Sequence, residues 1–339
     1  MAITSAKLNK LLLKKIKIAL KTRTKILIIL ILAILLTGLS GLFTKPAPIR
    51  YIDRQDGKIK TEQVVAGQAL NWLYSNPLGE LSLWAVVKRK FVSEFYGQLM
   101  NTKWSARKVD PFVRKYHINL KECRRHNFSS FNDFFTRRLK PGARKIDTNQ
   151  NAVISPGDGK ILAYADVSGQ DFIVKGYRFQ LKNFLQNDSL AVIYKHGSMF
   201  LLRLCPTDYH RFHFPVNGIV SRTVKVKGDY YSVSPLAIKQ RIKIFCENKR
   251  DYNLIATQKF GNVLMSEIGA TMVGSIIQTF RGHLVVKGAE KGYFKFGGSS
   301  IILLFQKGTI KIDDDLLENT QNHLETQVKM GEHIALLAN

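Results

Sequence analysis

Ser299 follows two glycines in Tyr293-Phe-Lys-Phe-Gly-Gly-Ser-Ser-Ile-Ile-Leu-Leu-Phe305, between two apolar, strand-like halves. Paired glycines permit backbone angles and close approaches that a side chain would block. A hydroxyl placed there can attack the carbonyl just before it. Such a serine needs a base, and the base needs a group that fixes its tautomer. Two segments offer these: Asp158 within Ser155-Pro-Gly-Asp-Gly-Lys-Ile161, and two histidines within Asp208-Tyr-His-Arg-Phe-His-Phe-Pro215. Ser299, His213 and Asp158 would make nucleophile, base and orienter. Taken singly, the same residues also read as a plain turn, a hydrogen-bonded core histidine and a turn-forming aspartate. His210 precedes His213 by three positions. On a strand that offset points the rings to opposite faces, whereas a tight turn or helix lets them converge.

Together the three segments resemble the phosphatidylserine decarboxylases, self-processing pyruvoyl enzymes of phospholipid synthesis. Phe131-Asn-Asp-Phe-Phe-Thr-Arg-Arg-Leu-Lys-Pro-Gly-Ala-Arg144, Val273-Gly-Ser-Ile276 and Lys287-Gly-Ala-Glu-Lys-Gly292 agree, in the same order along the chain. The likeness runs from about Tyr51 to about Gly331, and the Gly-Gly-Ser form of the processing site is similar to the type II branch. Two positions depart from the family pattern. Ser300 stands where the family usually has Thr, and Gly157 where it usually has Ala. Both replacements are small and keep the offsets.

The resemblance implies removal of CO2 from phosphatidylserine to give phosphatidylethanolamine. Decarboxylating an α-amino acid leaves a carbanion, and amino-acid side chains provide no electron sink for it. A pyruvoyl carbonyl would supply one through a Schiff base with the substrate amine. It would arise when Ser299 attacks the Gly298 carbonyl, cutting the chain between Gly298 and Ser299 into 1–298 and 299–339, which stay together as a heterodimer. By resemblance, Asp158, His213 and Ser299 form the charge relay of self-cleavage, Ser299 becomes the covalent pyruvoyl, and His210 assists decarboxylation. No metal is implied, and no carboxylate pair or His-Glu-x-x-His pattern suggests one.

The elements around these residues divide the chain at about residue 150. Residues 1–25 hold seven lysines, one arginine and no acid. Lys10, Lys14, Lys17 and Lys21 beside Leu8, Leu12, Ile16 and Leu20 make a basic amphipathic helix pattern. Ile26–Phe43 follows without a charge; as a helix it would be about 27 Å long at about 1.5 Å per residue, against a hydrocarbon core of about 30 Å. We therefore expect a membrane segment at 26–43 and a membrane-associating helical region at 44–150. Helical periodicity covers 61–74 and 79–99 with a break at Asn76-Pro77. A short helix begins near Ser129, with Phe131, Phe134 and Phe135 inward, Arg137, Arg138 and Lys140 outward, and Pro141-Gly142 ending it. From Ala152 the pattern changes to short β-branched strands: 159–166, 172–175, 199–204, 219–226, 263–268 and 294–305. Regular helices do not separate them, so the expected class is α+β, with a sandwich-like catalytic core at 151–339 that the resemblance also implies.

The net charge of +27 attracts polyanions, and the N-terminal pattern selects an anionic bilayer over nucleic acid. A bacterial inner membrane is expected, with an organellar membrane as the alternative. The three cysteines have no metal or disulfide spacing. Two other functions compete: a membrane-tethered serine hydrolase using the same three residues without self-cleavage, and a non-enzymatic basic lipid-binding protein. The hydrolase lacks the Gly-x-Ser-x-Gly elbow, and its serine would lead into a strand, not a helix. The binding protein leaves the Asp, His and Ser set unexplained.

Overall fold

The computed structural model describes residues 24–25, 47–84, 89–167, 180–238, 244–270 and 275–338. The expected membrane segment at 26–43, the strand expected at 172–175, most of the basic tail and the Val273-Gly274 pair lie outside them. No helix among the described residues is long and apolar enough to cross a membrane.

The fold is mixed, with one large sheet at its centre. Among the described residues it has eleven strands, and two three-stranded sheets accompany it. Ser299–Phe305 sits in the middle, antiparallel to Asn262–Gly269 on one side and to Ser198–Leu204 on the other. Gly159–Tyr164 pairs beyond Ser198–Leu204, and Glu325–Val328 beyond that. All seven residues of Ser299–Phe305 are buried, because both faces of the sheet are covered. Successive side chains of a strand point to opposite faces. Ile301, Leu303 and Phe305 pack with Leu202, Leu204, Phe212 and Phe294. Ile302 and Leu304 pack with Leu201, Leu264 and Ile268. An unbroken apolar run is what such a two-sided position requires.

The strand expected at 294–305 is two strands. Glu290–Phe294 lies in a three-stranded sheet with Arg211–His213 and Ile276–Gln278, and Ser299–Phe305 belongs to the large sheet. The chain changes sheets over Lys295–Gly298, where Gly297 adopts φ 137°, a region that effectively only glycine occupies. The 219–226 run is likewise divided, into Gly218–Val220 and Val224–Val226.

The expected helix break at Asn76-Pro77 is present, but the run expected as helical over 61–74 begins only at Gly67, and the one expected over 79–99 is interrupted at Arg89, which is extended (φ −75°, ψ 139°). Gly67–Ser75 stops at Asn76, whose side chain then accepts from Leu78 N and Gly79 N to cap Pro77–Ser82. Lys90–Met100 follows. A hairpin that the periodicity did not announce, Arg50–Asp53 with Lys58–Thr61, precedes them and joins the large sheet beside Glu325–Val328. The short helix is Phe131–Phe135, capped by Ser130 Oγ accepting from Asp133 N at 3.1 Å. It ends well before Pro141-Gly142. Arg137 is a correction to the expected outward face: it is only 7% exposed, because it turns in beneath the loop that carries His210.

Candidate active site

Ser299 opens its strand opposite Leu204 and Gly269. It is fully buried and its Oγ has no hydrogen-bond partner. A buried hydroxyl without a partner costs free energy and is uncommon. The segment before it is held from outside the large sheet. Phe296 N donates to Asn132 Oδ1 at 2.8 Å, and the Phe296 ring packs against Phe131 and Phe135 at 5.0 and 5.1 Å between centroids. The short Phe131–Phe135 helix therefore grips the chain three residues before the serine.

His210 lies beside this segment. Its ring packs tilted against Phe135, with 3.8 Å between centroids, and its backbone carbonyl accepts from Phe294 N at 3.0 Å. Nδ1 lies 3.0 Å from the Asp208 carbonyl. A carbonyl only accepts, so Nδ1 carries the proton and Nε2 presents a lone pair. Nε2 is buried and makes no hydrogen bond. Burial pushes the pKa of His210 down to about 3, against raising contributions from the Asp208 and Gly297 backbones, while the nearby Arg137 charge adds to the lowering. His210 is thus a neutral base whose free nitrogen is near the Gly297 backbone.

His213 occupies different surroundings. Its Nδ1 is 2.9 Å from the Gly288 carbonyl, so that Nδ1 donates and Nε2 accepts from the Tyr209 hydroxyl at 3.3 Å. It borders a cavity of about 520 Å³ whose rim includes Arg124, Arg138, Lys140 and Arg144. Burial lowers its pKa, opposed by the Gly288 backbone and by the charges of Glu290 and Asp158. The backbone N–H of His213 donates to the Pro156 carbonyl at 2.8 Å, which ties the turn bearing Asp158 to the histidine strand.

Asp158 accepts from Arg144 Nε at 3.0 Å, from Arg144 Nη2 at 2.6 Å and from Met330 N at 2.9 Å. The guanidinium of Arg144 also reaches Glu122 at 2.7 Å. The structure therefore brings Asp158 and His213 to one side and sets His210 beside the Gly-Gly-Ser segment. It closes no hydrogen bond between Asp158 and His213, or between Ser299 and either histidine. Between Asp158 and His213 the reason is competition: Arg144 holds the carboxylate, and the Gly288 carbonyl holds the imidazole N–H; Ser299 Oγ and His210 Nε2 both stay unpartnered.

Sequence reasoning did not single out Asn132, Phe135, Phe296, Tyr209, Arg137 or Arg144 as site residues. Their only signal was membership of the motif segments. His196 is exposed, has φ 59° and sits 3.2 Å from Asp166, so it lines none of this. Among the described residues no cluster of His, Cys, Asp and Glu could hold a metal. Cys123 and Cys205 are buried free thiols and Cys246 is a half-buried one.

The site thus holds an unpartnered serine behind a glycine kink, with the buried ring of His210 packed beside the Phe135 that grips that segment. Comparison with known proteins gives the family. The model for phosphatidylserine decarboxylase matches residues 131–336. A protein of Fusobacterium nucleatum named phosphatidylserine decarboxylase proenzyme is 52% identical over 288 residues, covering 84% of this chain and 96% of that one. Proteins of the same name from Clostridium botulinum and Desulfitobacterium hafniense are 47% and 46% identical, each over 292 residues, covering 85% of this chain and 99% and 98% of theirs. The chain belongs to the phosphatidylserine decarboxylase family.

Proposed function

We propose that this chain is a proenzyme that cuts itself between Gly298 and Ser299 and then removes CO2 from phosphatidylserine to give phosphatidylethanolamine. The observation that carries this is Ser299 Oγ: fully buried, without a partner, and directly after a kink only glycine can make. A pyruvoyl group fits the position, because forming it removes the Ser299 hydroxyl, which the fold leaves unsatisfied as it does that of Ser300. When present, the group supplies the carbonyl that takes up the electron pair left by departing CO2.

In this reading Ser299 attacks the Gly298 carbonyl, and His213, oriented by Asp158, takes the hydroxyl proton. His210 Nε2 then serves the second reaction. It can accept a proton from the substrate ammonium and return it to the carbon that loses CO2. A second assignment exchanges the two histidines, and the specific support for it is the free Nε2 of His210 near Gly297, where His213 Nε2 already accepts from Tyr209.

Substrate access would come from a bilayer. Trp84, Phe91 and Phe95 are 59%, 65% and 69% exposed, and Arg89 lies over the Trp84 ring at 5.7 Å. Apolar side chains flanked by cations suit an anionic membrane surface. The arginines and lysine around the His213 cavity suit the phosphodiester of the headgroup. Residues 1–25 as a basic tail and 26–43 as a membrane segment would add to the anchoring. The products of cleavage, 1–298 and 299–339, would remain one heterodimer, since Ser299–Phe305 is bonded along both edges to strands of the larger piece.

The test is conversion of phosphatidylserine in vesicles by purified protein and by Ser299→Ala. Ethanolamine lipid from the first and none from the second supports the reading. Equal conversion by the variant would place the chemistry elsewhere.

A further inference from the structure

Arg137 is a buried cation that the proposed chemistry does not yet use. It lies just past the short Phe131–Phe135 helix, with its N–H donating to the Phe134 carbonyl at 3.1 Å. Its guanidinium carbon stands 5.0 Å from the centre of the Phe134 ring. Nη2 donates to the Thr207 carbonyl at 3.1 Å and to the Asp208 carbonyl at 3.0 Å. The carboxylates nearest it are engaged elsewhere: Arg144 holds Asp158, and Asp208 accepts from Cys205 N and faces Lys160. A buried charge held by backbone carbonyls and a ring costs stability, so its placement asks for another reason.

The Asp208 carbonyl is shared. The oxygen that accepts from Arg137 Nη2 is the one that lies 3.0 Å from His210 Nδ1. A carbonyl oxygen has two lone pairs, one for each donor, and a guanidinium does not give up its protons. The acceptor in front of Nδ1 is therefore held in place at any pH the fold tolerates. Asp208 ties the other side of the turn: its carboxylate accepts from Cys205 N at 2.8 Å, and its N–H donates to the Cys205 carbonyl at 2.9 Å. The chain beside Arg137 also grips His210. The Phe135 ring packs against the imidazole with 3.8 Å between centroids, and the Thr136 carbonyl accepts from Arg211 Nε at 2.9 Å. Phe135, Thr136 and Arg137 thus meet, in turn, the ring, the residue after it and the turn before it.

We propose that Arg137 is a positioning residue for decarboxylation: by fixing the Asp208 carbonyl it holds His210 as the Nδ1–H tautomer, which leaves the Nε2 lone pair for the proton that moves in the reaction. The inference rests on the reading that gives His210 those proton steps. Arg137 acts through the carbonyl and touches no substrate. A ring carrying its proton on Nε2 would present a donor where an acceptor is needed. The Arg137 charge works in the same direction: with burial it opposes protonation of the ring, which the Asp208 and Gly297 backbones favour. The neighbouring Arg138 lines the His213 cavity instead, so the doublet divides between the two histidines.

The experiment compares wild type, Arg137→Gln and Arg137→Lys by NMR of ring-15N histidine, by intact mass, and by kcat and KM on phosphatidylserine vesicles. His210→Gln assigns the His210 signals by their absence. Wild type is expected to carry the proton on Nδ1 of His210. Arg137→Gln is expected to cut itself and to show mixed tautomers at His210. Its kcat should fall on the order of 100-fold, the cost of a reacting group displaced by about 1 Å, with KM unchanged, because the lost contact serves only the chemical step. Arg137→Lys keeps the charge on a side chain one bond shorter and is expected to recover part of kcat. A wild-type tautomer or a wild-type kcat in Arg137→Gln would overturn the proposal. A raised KM with kcat unchanged would assign Arg137 to the lipid and also overturn it. So would a folded Arg137→Gln chain that stays uncut, which would assign the His210 turn to self-cleavage. Should Arg137→Gln not fold, Arg137→Lys decides: an ammonium does not replace a planar donor pair, and a kcat equal to that of wild type would contradict the proposal. Wild-type turnover by His210→Gln would instead refute the reading of His210, whatever Arg137 does.

Discussion

His210 and His213 stand three residues apart at one strand, and their surroundings differ. His210 is enclosed by Phe135 and the Gly297 segment, with one ring nitrogen engaged and the other free. His213 borders a charged cavity, with both nitrogens engaged and Asp158 and Glu290 raising its pKa against burial. The first is a neutral base kept from water. The second is an imidazole whose protonated form has acidic neighbours to stabilise it. Two reactions that need different proton chemistry can thus be served from one strand, because an offset of three sends the rings to different environments. Burial and the available acceptors, not the spacing, decide which ring does what.

The largest expected effects break this comparison directly. His213→Ala should leave the chain uncut, with intact mass showing one full-length species. His210→Ala should still cut, while turnover on phosphatidylserine falls by about 10²–10⁴-fold, the usual range for loss of a positioned acid–base group. The reverse pair of phenotypes would exchange the roles of the two histidines.

A smaller effect concerns a buried ion pair. Lys291 and Glu267 are both fully buried and pair at 2.7 Å, with Gln278 donating to the carboxylate at 2.8 Å. Gly292, the next residue, has no space for a Cβ, which would fall 2.2 Å from the Ile277 carbonyl oxygen. Glu267→Gln leaves Lys291 buried without a counter-charge and should destabilise the protein by about 3–5 kcal/mol, read from denaturant unfolding. A change below about 1 kcal/mol would mean that Lys291 is already neutral, and would separate this pair from the charged region around His213.

Smaller still is the effect of pH on stability through His210. Its folded pKa of about 3 lies below the ordinary value of about 6.5, so the unfolded chain binds the extra proton first. The contribution is complete above about pH 6.5 and is lost as pH falls toward about 3, at no more than about 1.4 kcal/mol per pH unit. His210→Gln should flatten that part of the stability profile relative to wild type. An unchanged slope would show that His210 gains its proton as readily in the folded chain as in the unfolded one.

Much of this site was legible in the sequence. The Gly-Gly-Ser segment announces its kink, Asn76-Pro77 its helix break, and the stretch near Ser129 the start of the short helix, because each depends on near neighbours in the chain. What escaped depends on contacts between distant residues. Arg137 and Arg138 form a doublet that reads as a solvated face, yet Arg137 is buried because the Thr207 and Asp208 carbonyls accept from it. Asp158 reads as a partner for histidine, yet Arg144 comes closer with two donors. The 294–305 run reads as one strand, because an apolar pattern does not reveal which of two sheets each half joins.

The central claim is tested most directly by the mass of the purified, folded protein under denaturing conditions. Two species are predicted, one ending at Gly298 and one beginning at residue 299 with a ketone in place of its amine. A single full-length chain that still converts phosphatidylserine to phosphatidylethanolamine would contradict it.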